Sequence, residues 1–184
     1  MKIIFLTGSH PRHAYIANEI NKSGYLSGLI IEQREKHVPT APKDLNTNLK
    51  LLFNLHFKKR HESEIKFFKK NNFPKTNILN VTKEELNSSK TIQFIKNIEP
   101  DLVISYGVHK LSDDVISSSK GEAWNIHGGI SPWYRGVATH FWPSYFLEPQ
   151  MTGMTIHDLT QDIDGGNIIH QNSVSLVKGD SLHD

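Results

Sequence analysis

Asn125 and His127 stand two residues apart in the apolar run Glu122 to Ile126 and just beyond it, and Gly128-Gly129-Ile130-Ser131-Pro132-Trp133-Tyr134-Arg135-Gly136 follows at once. On an extended chain alternate side chains share a face, so both point the same way. Asn offers an NH₂ donor beside a carbonyl acceptor, and His offers a ring N–H. Two donors aimed at one point suit an oxygen that gains negative charge during acyl transfer. Asp164 is the third candidate, in the acidic loop Asp158-Leu159-Thr160-Gln161-Asp162-Ile163-Asp164-Gly165-Gly166. A carboxylate there could orient an imidazole or accept a proton through water.

These residues need a scaffold that delivers them to one place. Lys2 to Thr7 reads as a strand ending at the turn Gly8-Ser9, and Pro11 to Asn21 has Ala14, Ile16, Ala17 and Ile20 at helical spacing. Leu26 to Glu32 is a second apolar run. Strand, helix, strand requires a crossover and implies parallel pairing. Residues 36–75 break this rhythm: a loop composition precedes one long or two shorter basic helices running to Asn72. That insertion reads either as a solvated amphipathic helix or as a lid facing an anion. Strands are then expected at Asn77 to Val81, Asp101 to Tyr106, Glu122 to Ile126, Thr152 to Leu159 and Ile168 to Leu176. Thr82 and Glu85 form a capping-box pattern for a helix. Further helices are expected at Leu111 to Ser117, over 138–147 and from Gly179 onward. The sum is an α/β fold, a Rossmann-like doubly wound, mostly parallel sheet with helices on both faces, in one domain spanning 1–184. Ligands of such sheets bind beyond the carboxyl ends of the strands, here after Thr7, Tyr106 and Ile126.

Composition narrows the chemistry. The chain has 184 residues, a net charge of +2 and no cysteine, which removes disulfides, thiolate metal sites and cysteine nucleophiles. No stretch approaches the ~20 apolar residues of a membrane span. The near-balanced charge calls for neither a nucleic-acid nor a membrane partner. The expected location is cytoplasmic. Of the eleven histidines, His109, His140, His157 and His170 fall at no metal-ligand spacing, so no metal is expected.

Asn125-x-His127, the Pro132-x-Tyr134-x-Gly136 loop and the later Ile163-Asp164-Gly165-Gly166 together resemble the folate-dependent formyltransferases. That family includes the glycinamide ribonucleotide, methionyl-tRNA and sugar N-formyltransferases. The similarity runs from about residue 77 to the end, with a weaker match over 1–32. It implies a 10-formyltetrahydrofolate co-substrate, a primary amine as small-molecule acceptor, and catalytic roles for Asn125, His127 and Asp164. It also implies that Tyr106, Gly107, Val108, His109 and Leu111 line the pterin of the folate, and that Asp158, Leu159, Thr160 and Ile163 close around it. Gly8 to Arg12, with Ser9 among them, falls where the purine enzyme holds its substrate phosphate, but the glycine-rich pattern of that loop is not kept; Arg12 and His13 at a helix start could still hold an anion. Arg135 could bind a substrate phosphate or pair with the acidic loop. The loop after His127 departs from the usual His-x-Ser-Leu-Leu-Pro, with Gly129 and Ser131 replacing the serine and second leucine.

The acceptor most consistent with this reading is an amino sugar carried on a nucleotide. The alternatives are glycinamide ribonucleotide, a methionyl-tRNA-like reaction, hydrolysis of formyl-folate, and an inactive folate-binding scaffold. The carboxy-terminal domain of the tRNA enzyme is not found, which argues against tRNA, and the chain could be a fragment of a longer one. A homodimer is left open.

Overall fold

The computed structural model describes residues 1–34, 36, 38–69 and 72–183. Seven strands form one sheet: β1 (Ile3–Thr7), β2 (Leu26–Glu32), β3 (Asn77–Val81), β4 (Leu102–Tyr106), β5 (Glu122–His127), β6 (Gly153–Asp158) and β7 (Ile168–Ser173). Their order is β3-β2-β1-β4-β5-β6-β7. The first five are parallel, whereas β6 is antiparallel to both of its neighbours. The order reverses between β1 and β4, so the carboxyl ends of these two strands open a crevice.

β1 is central and buried at every position. Its alternating side chains feed two cores. Ile4 and Leu6 join Ile30, Val103 and Ile95 of helix α3 (Ser89–Ile98) on one face. Phe5 joins Leu29 and Ala17 of helix α1 (Pro11–Lys22) on the other. Each such side chain contributes roughly 1.5–3 kcal/mol on burial, and this two-sided apolar demand makes the sheet doubly wound.

Several elements differ from the sequence expectation. The insertion forms one helix, α2 (Thr47–Phe68), capped by Asn46. Its expected extension to Asn72 is not seen, and His37, Lys70 and Asn71 of the insertion lie outside the described residues. The Thr82–Glu85 capping box forms, with Glu85 N–H donating to Thr82 Oγ1 at 3.3 Å and Thr82 N–H to Glu85 Oε2 at 3.0 Å. It closes only a turn, however, and α3 starts afresh after Ser88. The helix expected at Leu111 to Ser117 is a single turn, α4 (Asp113–Ile116). That over 138–147 shrinks to α5 (Trp142–Tyr145), because Ala138 takes a positive φ of 57° and Leu147 one of 62°. A 3₁₀ turn follows at Pro149–Met151. Residues 179–183 form turns rather than a helix, and Asp184 lies outside the described residues.

Candidate active site

A cleft of about 2610 Å³ opens over the carboxyl ends of β1, β4 and β5, with α2 as its opposite wall. β5 delivers Asn125 and His127 to the same side. Antiparallel β6 places His157 directly beside Asn125 in register. The loop after β6 then returns Asp164 to this group. Asp164 sits at φ 48°, a left-handed conformation that Asp tolerates better than most residues. Arg135 holds the loop in place, its Nε donating to the Ile163 carbonyl at 2.8 Å. A Cβ on Gly166 would stand 1.9 Å from the Asp158 carbonyl oxygen, so the turn back to β7 needs glycine there.

The four side chains form one network. Asp164 Oδ2 accepts the Gly136 N–H at 2.8 Å and faces His127 Nδ1 at 3.3 Å. Its Oδ1 accepts from Asn125 Nδ2 at 3.3 Å and faces His157 Nε2 at 3.4 Å. Asn125 is oriented from behind, since Ser105 Oγ donates to its Oδ1 at 2.7 Å. His127 Nε2 donates to the Tyr134 carbonyl at 2.7 Å, and His157 Nδ1 to the Asp158 carbonyl at 2.7 Å. Burial pushes the Asp164 carboxyl up, but hydrogen bonds from His157 and Gly136 and the nearby imidazoles outweigh it and hold the group below its ordinary range. Burial lowers His157, but its bonds to Asp164 and Asp158 prevail and leave it above its ordinary value. The result is a carboxylate that favours its ionised form, with an imidazole behind it that holds its proton more tightly than usual.

His157 carries no motif that marks it in the sequence. What places it here is the β5–β6 register, which the sequence could signal only through the alternation of Thr155 and His157 across β6. Glu32 is likewise unanticipated. Fully buried at the end of β2, it accepts from the His109 backbone N–H at 2.9 Å and from the His109 ring, with Arg34 at 3.5 Å. It thereby ties the loop after β4 to β2.

Tyr106, Gly107, Val108, His109 and Leu111 line the cleft together with Leu159, Thr160 and Ile163. Gln161 joins the two segments by donating to the Leu111 carbonyl at 3.2 Å. Val108 and Leu159, both packed against the apolar core, give this stretch of the cleft, a slot lined by both segments, an apolar lining. Gly107 has φ 67°, and a Cβ there would stand 2.5 Å from His13 Nε2.

Four expected contacts are placed differently. Asp158 does not line the cleft; its carboxylate accepts from Asn167 Nδ2 at 3.0 Å and braces the turn to β7. Ser9 also lies off the cleft, its Oγ accepting the Arg34 N–H at 3.2 Å. His13 is buried beneath Gly107 and off the cleft, and burial, with Arg12, His10 and Arg34 nearby, drives its pKa to about 2, so it brings no positive charge to an anion. Arg135 pairs with the acidic loop, through a carbonyl rather than a carboxylate. Of the group after β1, Arg12 does line the cleft, bonded to Glu64 of α2 at 2.9 Å.

A donor-lined strand end and a carboxylate in a glycine-bounded loop on this topology coincide with a known family: the Formyl transferase model matches residues 2–184. The chain is a formyl transferase family member. Within that family, it is 32% identical over 99 residues to the bifunctional polymyxin resistance protein ArnA of Wigglesworthia glossinidia brevipalpis, which covers 53% of this chain and 15% of that protein. The chain therefore spans about a seventh of the length of that relative. The phosphoribosylglycinamide formyltransferase of Bacillus halodurans shares the fold with a TM-score of 0.63 at 20% identity, over 98% of this chain and 84% of that one. A sugar N-formyltransferase from Shewanella sp FDAARGOS_354 superposes with a TM-score of 0.57 at 18% identity, over 99% and 61%. The purine enzyme and the sugar enzyme thus share this formyltransferase's overall fold. Among its described residues no helix is long and apolar enough to cross a membrane.

Proposed function

We propose that this formyltransferase moves the formyl group of 10-formyltetrahydrofolate onto the primary amine of a nucleotide-linked amino sugar. The observation that carries the reading is the convergence of Asn125, His127 and Asp164 within 3.3 Å contacts in the cleft that residues 106–111 and 159–163 also line. The folate supplies an activated formyl carbon. Asn125 Nδ2 and His127 Nε2 are the donors for the oxygen that becomes negative as the amine attacks. Each is held by a protein acceptor, Asp164 and the Tyr134 carbonyl respectively, and turns from it to the developing oxyanion. One such donor lowers the barrier by about 2.7–4 kcal/mol. Asp164, ionised and braced by His157, takes the proton released by the amine, directly or through one water. The slot and the Arg12 side of the cleft hold the two reactants at attacking distance, which supplies the remaining acceleration.

The start of α1 keeps no glycine-rich loop, and His13 there is buried beneath Gly107, which favours a nucleotide-linked acceptor over glycinamide ribonucleotide. The test is to incubate the protein with 10-formyltetrahydrofolate and follow tetrahydrofolate release. Release dependent on a 3-amino or 4-amino nucleotide sugar supports the proposal. Release with glycinamide ribonucleotide alone, or with no amine at all, would refute it in favour of the purine or hydrolytic reaction.

A further inference from the structure

Glu32 ends β2 directly after the buried run Leu29-Ile30-Ile31 and is itself fully buried. Taking a carboxylate out of water is costly unless donors meet its oxygens, and for packing alone an apolar side chain would serve as well or better. The donors that meet Glu32 come from across the sheet. In the order β2-β1-β4, β1 ends at Thr7, level with Ile31 on one side and Tyr106 on the other, so Glu32 stands one residue past its end. The chain leaving β4 crosses that end. It brings the His109 backbone N–H to Glu32 Oε2 at 2.9 Å and the His109 ring to Oε1, with Arg34 Nη1 at 3.5 Å from Oε2 and at 2.7 Å from His109 Nδ1.

The Val108–His109 peptide is trans, so its N–H and C=O point opposite ways. The carboxylate that draws the N–H toward β2 therefore also sets where the Val108 carbonyl faces, and both residues line the cleft. Other groups fasten the far end of this loop. Asn87 Nδ2 donates to the Lys110 carbonyl at 3.0 Å, Asn87 Oδ1 accepts the Ser112 N–H at 2.8 Å, and Leu111 is buried in the core. Glu32 fastens the stretch between Gly107 and Lys110.

We propose that Glu32 is a positioning residue for the formyl donor, fixing by its reach the Val108–His109 peptide in the wall against which the folate ring packs. The inference rests on the folate reading above and adds to it a residue that touches neither reactant. The role requires an acceptor at the right distance, not a negative charge. An amide of the same length can still meet the His109 N–H. A carboxylate one methylene shorter draws back by about 1.5 Å, which carries a 2.9 Å contact out of hydrogen-bond range unless the peptide follows.

The test measures 10-formyltetrahydrofolate affinity of the full chain by fluorescence quenching, and the KM of the 3-amino or 4-amino nucleotide sugar that supports release. Both are compared across wild type, Glu32→Gln, Glu32→Asp and Glu32→Met, with melting temperatures alongside. Glu32→Gln is expected to bind the folate within a few-fold of wild type. Glu32→Asp, despite keeping the charge, is expected to bind it about tenfold or more weaker, the scale of one lost hydrogen bond to a charged group, and Glu32→Met at least as weakly. The amine KM is expected to stay within a few-fold throughout. Wild-type folate affinity in Glu32→Asp, or a loss in Glu32→Gln as large as in Glu32→Met, overturns the proposal. So does an equal loss for amine and folate, or a lowered melting temperature with folate affinity unchanged. Should Glu32→Met fail to fold, the Gln and Asp variants decide between reach and charge by themselves. Absence of folate binding in wild type sinks the folate reading and the role of Glu32 with it, whereas unchanged folate binding across the variants sinks the role of Glu32 alone.

Discussion

Replacing Asp164 by Asn keeps the shape of the side chain and removes its charge, so the consequence can be worked from its contacts. Oδ2 accepts from Gly136 N–H, and Oδ1 from Asn125 Nδ2. Whichever way the new amide turns, its NH₂ group faces one of these donors and leaves it unsatisfied. A lost hydrogen bond to a charged group costs about 1.5–3 kcal/mol of stability, a shift of several degrees in melting temperature for a chain of this size. The fold therefore survives. The turnover effect is larger, because the amine's proton loses its acceptor; general-base catalysis is worth roughly 100- to 10,000-fold. The assay is kcat for tetrahydrofolate release with a saturating amine acceptor, alongside folate binding by fluorescence quenching. The expectation is a fall in kcat of at least about 100-fold, with folate affinity kept within a few-fold because the slot residues are untouched. If Asp164→Asn kept a tenth or more of the kcat, or lost folate binding while still folded, the proton-acceptor role would be refuted.

Other outcomes follow from the same contacts. Asn125→Ala removes one oxyanion donor and the acceptor of Ser105 Oγ, so kcat should fall about 100- to 1,000-fold in steady-state assays, with the fold intact by circular dichroism. Gly107→Ala must place a Cβ at φ 67° against His13 Nε2; chemical denaturation should show a loss of about 1–3 kcal/mol. His157→Gln tests the tightened hold of His157 on its proton. Because His157 is raised above 6.5 in the folded chain, its stabilisation is full below that value and is lost as pH rises through the folded-state pKa. The melting-temperature gap between wild type and His157→Gln should thus be widest on the mildly acidic side and close toward alkaline pH. A gap that widens toward alkaline pH would contradict the raised pKa.

Much of this molecule is legible in the chain itself, and the misses share a cause. Ile3–Thr7 and Leu102–Tyr106 announce themselves because a strand buried on both faces must be apolar throughout or nearly so, and Glu122–His127 follows them as a short run around Ala123, Trp124 and Ile126. Asn125 and His127 share a face by local periodicity, and a polar pair at the end of such a strand stands out. His157 does not stand out, because its position beside Asn125 depends on the antiparallel register of β6, which is set by the whole segment from Gly128 to Gly153. Glu32 and His109, 77 residues apart, meet only because β2 and β4 flank β1. His13 looked like an anion ligand at a helix start, yet folding tucks it beneath Gly107. Helical composition over 138–147 yielded a single turn because Ala138 and Leu147, at positive φ, bound it on both sides.

The central claim is that Asn125, His127 and Asp164 act together on one formyl carbonyl. Its most direct test is single-turnover transfer of isotopically labelled formyl from 10-formyltetrahydrofolate, with wild type compared to His127→Ala and Asp164→Asn. The account predicts that label enters the amine product as a formamide with wild type and that each variant is slowed by about 100-fold or more. Label released as formate in the absence of amine, or transfer at comparable rates in the variants, would contradict it.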